Sequence, residues 1–301
     1  MIERDHHKYT LEVFWQLTLE VLELSEQDVL RHAKLPPDLF QQQSPMVTGD
    51  EIYRIAMAID ELKANDPTHL LRYMQTMTLD TTSPVTFACM YSQDLNAAAK
   101  RIAKYKPIVG PARIEVKETT ENTVITIGQA AGYSPLPRFL VLFNLLTLVK
   151  VARTATRKHV IPVSITVKED ISAIEQYEAY FGVPILKGDS NRILFSAEDA
   201  QRPFLSPNPA MWSIFEPGLE KRMADITITD ETSTRVRACL NEMLPTGQTS
   251  IDDVAARLSI SSRTLQRHLR DEGTSFQHIL SQLRQEKAKH YLHKTDYSTR
   301  Q

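Results

Sequence analysis

Apolar positions in the first third of the chain recur at helical spacing. Leu11, Phe14, Leu17, Val21 and Leu22 form one stripe. Ser25-x-x-Asp28 opens a short second helix, which stops before Pro36-Pro37. Thr48-x-x-Glu51 is a capping box for a longer helix, with Ile52, Ile55, Ala56, Ile59 and Leu62 on its apolar face. Further helices are predicted from Pro67 and from Pro84. Leu95, Ala98, Ala99, Ile102 and Tyr105 mark another, which ends at Pro107. Residues 9–106 therefore read as helical.

The period then changes. Ala112 to Lys117 and Thr123 to Ile127 are β-branched runs joined by a polar segment, which predicts a hairpin. Gly132 to Pro137 is a turn. Arg138 to Arg157 is a long helix, apolar on nearly all sides in its first half, and so central and buried. Val163, Ile165 and Val167 alternate as a strand, Ile171 to Phe181 is an amphipathic helix, and Arg192 to Ser196 is another strand. A proline-rich connection, Pro203 to Pro209, leads into a helix through about Ala224. Ile226 to Ser233 is polar without helical period, and a domain boundary is placed there. The fold class is α+β. A mostly helical domain with a small sheet spans residues 1–226, and an all-α domain spans residues 227–301.

The second domain carries the sharper signal. Ile251, Val254, Ala255 and Leu258 form one apolar face of a short helix, with Thr249 as its candidate cap and Asp252 and Asp253 in its first turn. Ser259 to Ser261 breaks the pattern, and Ser261 or Ser262 can cap a second helix. In that helix Leu265 and Leu269 face inward, while Arg263, Gln266, Arg267 and Arg270 share the opposite face. Helix, short turn and basic second helix describe a helix-turn-helix. Arginine can fork onto guanine, glutamine onto adenine, and serine can reach bases or phosphates. Ser261, Ser262, Arg263, Gln266, Arg267 and Arg270 are thus the candidate contacts to double-stranded DNA. An arginine stripe taken alone is more often a solvated helix face.

The whole pattern is more specific than the stripe. VAARLSISSRTLQRHLRDEGTSF, followed by Leu283-Arg284, Ala288 and Tyr291-Leu292, resembles the DNA-binding domain of the AraC/XylS-type transcription regulators. Leu265, Arg267, Leu269 and Gly273 stand where that family has its Leu-x-Arg-x-Leu segment and glycine turn. The resemblance covers about Ser250 to Leu292. It implies a linking helix over Ser275 to Leu292, and a second helix-turn-helix that would begin where the sequence stops at Gln301. The expectation is a chain truncated before that second reader. Residues 9–225, with the segments NRILFS and PFLSPNP, are similar to the N-terminal effector domain of the arabinose-binding-like branch of the family. That implies a domain that senses a small molecule and dimerises.

Composition changes little. At 42% hydrophobic and 24% charged residues over 301 positions, the chain is an ordinary globular protein of two domains. Residues 221–301 hold thirteen Lys or Arg and ten Asp or Glu, against an acidic remainder, which suits nucleic-acid contact at one end only. Cys89 and Cys239 offer neither a disulfide framework nor metal spacing. The amino terminus lacks an apolar signal core, and the apolar run Phe139 to Val149 is too short to span a bilayer. No nucleophile elbow, dinucleotide loop, phosphate loop or zinc-protease motif is present. The cysteines have no neighbours that would activate a methyl-accepting thiol. The expectations are a cytoplasmic, non-enzymatic protein without metal or cofactor, and a homodimer in contact with RNA polymerase.

Three residues of the first domain are candidate effector contacts. Asn144 is an amide in the middle of an apolar helix, satisfied by a neighbouring backbone group or aimed at a ligand. Arg138 could pair with an effector carboxylate or simply be solvated at a helix start. Tyr133 is open to the same two readings. The function expected is a DNA-binding regulator controlled by an effector of unidentified chemistry. The alternative is a ligand-binding or oligomerising module that does not bind DNA by itself.

Overall fold

The computed structural model describes residues 8–78, 82–230, 232–244, 249–258 and 260–294, with side chains of the last helix described as far as Lys287. The elements begin with β1 (Lys8–Thr10), α1 (Phe14–Val21), α2 (Glu26–His32), β2 (Met46–Thr48), α3 (Gly49–Leu62), α4 (His69–Thr76), α5 (Pro84–Cys89) and α6 (Leu95–Val109). Then come β3 (Ala112–Glu118), β4 (Asn122–Gln129), α7 (Arg138–Thr156), β5 (Ser164–Val167), α8 (Ile174–Phe181), β6 (Ile185–Lys187), β7 (Asn191–Ser196) and α9 (Ala197–Ala200). The chain continues through α10 (Pro209–Asp230), α11 (Thr232–Met243), α12 (Ile251–Arg257), α13 (Ser262–Asp271) and α14 (Phe276–Lys294). It divides into two compact units, Met1–Met223 and Ala224–Gln301, and the division falls inside α10.

The N-terminal unit is α+β. Its sheet has the order β3-β4-β7-β5-β6, antiparallel except for the β5–β6 pair. Register aligns one apolar row across all five strands: Val116 faces Ile125, Ile125 faces Ile193, and Ile165 lies between Ile193 and Ile185. The helix α7 packs against β4, β7, α3, α4 and α6. It buries Phe139, Leu142, Leu145, Leu146, Val149 and Ala152, so an all-round apolar helix becomes the core helix of the unit. It is long and apolar enough to cross a membrane, but most of it is buried inside the unit.

Several elements differ from expectation, each for a local reason. The buried face of α1 is Trp15, Thr18, Leu19 and Leu22, because aromatic Trp15 turns inward in place of Leu17. The stretch read as wholly helical opens with β1, which pairs antiparallel with β2, and three-residue strands leave no alternation to detect. The α6 helix continues two residues past Pro107, since a proline in a last turn removes only one backbone donor. A left-handed backbone at Ala173 (φ 55°) delays α8 until Ile174. The capping box on α3 forms as predicted: Glu51 N–H donates to Thr48 Oγ1 at 3.3 Å, and Thr48 N–H donates to Glu51 Oε2 at 2.8 Å.

The C-terminal unit is all α. The helices α11 to α14 enclose a core of Val236, Leu240, Val254, Leu265, Leu269, Phe276, Ile279 and Leu283. Of the polar segment Ile226 to Ser233, expected to be non-helical, residues 226–230 complete α10 and Thr232 and Ser233 start α11, while Glu231 lies outside the described residues. A tertiary contact outweighs its weak helix propensity: Thr232 and Ser233 N–H donate to the two carboxylate oxygens of Glu272, at 2.6 and 2.8 Å. Arg237 ties α11 to α14, donating to both carboxylate oxygens of Glu286 and to Gln282.

Candidate recognition helix and an enclosed cavity

The first helix of the predicted pair, α12, is capped by Ser250 rather than Thr249. Asp253 N–H donates to Ser250 Oγ at 3.1 Å. Ser261 caps α13 by accepting from Thr264 N–H at 3.1 Å. The helix ends in a left-handed turn at Gly273 (φ 73°), where Gly273 N–H donates to Arg270 O and Thr274 N–H to Leu269 O. A β-carbon is disfavoured at that φ, so the glycine sets the sharp reversal into α14.

This framework fixes which face of α13 meets solvent. Leu265 and Leu269 are both 0% exposed. Arg263, Gln266, Arg267 and Arg270 are exposed. The side chains of Arg263, Gln266 and Arg270 carry no hydrogen bond or ion pair among the described residues, and Arg267 makes only a 3.5 Å contact with His268. The four therefore form one available donor surface. The two serines are engaged within the unit: Ser261 also donates to Thr264 Oγ1, and Ser262 donates to Asp252. Ala288, Tyr291 and Leu292, part of the sequence pattern, lie outside the described side chains, as does Ser259.

The three effector candidates of the N-terminal unit do not converge. Tyr133 packs on Tyr53, ring centroids 5.8 Å apart, and its ring closes over Gly49. Arg138 lines an open groove of about 850 Å³ and is already paired. It donates from Nε to Asp60 Oδ2 at 3.2 Å and from Nη1 to Ser172 at 3.2 Å. Buried His69 stands on the far side of Asp60, with Nε2 at 3.4 Å. Burial would raise the Asp60 carboxyl, but the adjacent His69 ring and the hydrogen bond and charge of Arg138 outweigh it and hold it below its ordinary value.

Asn144 alone reaches the enclosed cavity. That cavity, about 60 Å³, lies between α7, α6, α4, α5, α1 and β3. Its wall is largely aromatic and aliphatic, including Phe14, Trp15, Phe139 and Phe143. Asn144 Nδ2 donates to Leu140 O at 2.6 Å, which turns Oδ1 toward Lys106. Lys106 Nζ donates to that oxygen at 2.8 Å. Among the described residues no carboxylate pairs with this ammonium. The residue is half-buried, and burial of the charge pushes its pKa down to about 8. The sequence reading missed Lys106. The available signal was a lysine on the apolar stripe of α6, at the helical spacing of Ala99 and Ile102.

Tyr73 also lines the wall. It is 1% exposed, and its hydroxyl has no hydrogen-bond partner. Thr18 lies beside it, but the Thr18 hydroxyl donates to Phe14 O at 2.7 Å. Burial raises the phenol above its ordinary value. Among the described residues no cluster of three or more His, Cys, Asp or Glu could hold a metal ion.

Comparison with known proteins gives the class. The family described as the arabinose-binding domain of AraC transcription regulators, N-terminal, matches residues 24–204. The chain belongs to the AraC-type transcription regulators that carry this N-terminal domain. It is 32% identical over 96 residues to the ornithine utilization regulator of Pseudomonas aeruginosa. That alignment takes in 32% of this chain and 28% of the relative. The crystal structure of the transcriptional regulator CdpR from Pseudomonas aeruginosa aligns over 95% of this chain and 86% of its own, at 19% identity and a TM-score of 0.45.

Proposed function

We propose that the chain is a sequence-specific DNA-binding regulator whose activity is set by a small molecule held in the N-terminal unit. The observation that carries the reading is the α13 face. Three side chains suited to base edges, Arg263, Gln266 and Arg270, stand exposed without partners among the described residues, beside Arg267 and over two fully buried leucines. Arg263, Gln266, Arg267 and Arg270 are the base-reading or phosphate-contacting residues. Ser261 and Ser262 take the supporting role of setting the helix start. In the N-terminal unit Asn144 contributes through Lys106. Arg138 and Tyr133 belong to the surrounding structure. The assembly is a cytoplasmic homodimer that works with RNA polymerase, with effector sensing and dimerisation in residues 1–226 and DNA binding in residues 227–301.

The test is a binding titration on an operator selected from random duplexes. Arg267→Ala and Gln266→Ala should each weaken the selected site by about 1–3 kcal/mol while leaving random DNA less affected. Equal loss on both DNAs would make these residues phosphate contacts, which position without specifying. No selection of any duplex would leave a ligand-binding or oligomerising module as the better account.

A further inference from the structure

Lys106 is anomalous for a lysine. It projects into an apolar cavity, has no acidic partner among the described residues, and leans on a neutral amide held in place by a backbone carbonyl. A cation in such surroundings is costly unless an anion joins it. Lys106 can donate to an oxygen-rich head in that cavity. Tyr73, on the same wall, is fully buried and packs its ring against Phe143.

We propose that this cavity is a receptor site for an unbranched aliphatic monocarboxylate, with the acid head on Lys106 and the chain along the aromatic wall. The proposal deepens the effector reading and rests on it. Charge balance selects a single negative charge, because the described residues of the cavity supply one cation and the amide oxygen of Asn144 would repel a second anionic group. Shape selects a thin body. A cavity of about 150 Å³ is needed to take up benzene, and the chamber here is about 60 Å³. It accommodates the head and first carbons of a chain. Thr82 and Thr86 line both this chamber and an outer groove of about 450 Å³, which gives the remaining carbons a route.

Protonation gives the site a signature. Among the described residues, α1, α3, α5, β3 and α7 contribute no titratable group to the wall, α6 contributes Lys106 and α4 contributes Tyr73. Binding requires the ammonium form of Lys106 and the ionised form of the acid, so affinity should hold between about pH 6 and about pH 8 and fall roughly tenfold per pH unit above that.

The experiment is calorimetric titration and thermal shift of the full chain with octanoate, 1-octanol and octylamine. Octanoate should bind and raise the melting temperature by several degrees, whereas the alcohol and amine should bind at least tenfold more weakly. Lys106→Met should remove the preference for octanoate over 1-octanol. Equal binding of octanoate and 1-octanol to the wild type would overturn the proposal without any variant. So would failure of straight-chain carboxylates from four to twelve carbons to bind at all. If another class of molecule stabilises the protein and alters its DNA binding, the carboxylate site is wrong and effector control stands. If octanoate binds through Lys106 without changing DNA affinity, the site stands and effector control falls.

Discussion

Glu272 joins the end of α13 to the start of α11, and removing one of its acceptors should loosen α11. Each carboxylate oxygen accepts one backbone N–H, from Thr232 at 2.6 Å and Ser233 at 2.8 Å. In Glu272→Gln the side chain keeps its shape, but one oxygen becomes an NH₂ that faces an N–H. Two effects are lost: a hydrogen bond to a charged acceptor, about 1.5–3 kcal/mol, and a negative charge at a helix N-terminus, about 0.3–1 kcal/mol. Glu272 is exposed, so solvent screening reduces both, and about 1–2 kcal/mol remains. Hydrogen exchange of the intact protein at pH 7 should then run roughly 5–30 times faster over residues 232–243. The effect is tied to pH. Burial opposes ionisation of Glu272, but the backbone donors outweigh it and hold the pKa below the ordinary glutamate value. A depressed folded pKa contributes stability above the unfolded value of about 4.3 and loses it as pH falls through the folded one. The gap between wild type and variant should therefore close in acid. Equal exchange at pH 7, or a gap that widens below pH 4, would refute the reasoning.

Gly49→Ala should destabilise the N-terminal unit by about 1–3 kcal/mol in a urea titration, because an added β-carbon would lie 2.2 Å from Tyr133 Cε1. Truncating the ring in the double variant with Tyr133→Ala should recover part of that loss, and strict additivity would count against the clash. Cys89 is fully buried and its thiol is pushed up to about 12, so it should resist alkylation at pH 8 until the protein unfolds, as measured by mass spectrometry after brief labelling.

Sequence alone located the helix pair because its information is local. Ser261, Leu265, Leu269 and Gly273 each fix one feature of α13 through the residues three or four places away. The core role of α7 was legible for the same reason, since a helix apolar on all sides has only the interior to occupy. What stayed hidden depends on partners distant in sequence. Thr232 becomes helical because Glu272 arrives beside it, and Tyr9 becomes a strand because Val47 does. Arg138 looked available until Asp60 closed on it. Lys106 was passed over because an apolar stripe is read by its apolar members, and the polar residue interrupting it marked the cavity.

The strand order has a consequence for how the protein emerges during synthesis. Strand β4 gains its first neighbour from the adjacent hairpin arm, but its other edge waits for β7, and the register sets Ile125 against Ile193. At roughly 5–20 residues per second the intervening chain takes several seconds to be made. Throughout that interval the nascent protein presents an open, β-branched edge of the kind that recruits foreign strands. The α7 helix is translated inside the same window and can cover the apolar face before the edge is sealed. The vulnerable species for misassembly is thus a chain stalled between Thr156 and Asn191, and slow translation there should favour aggregation more than slow translation after Ser196.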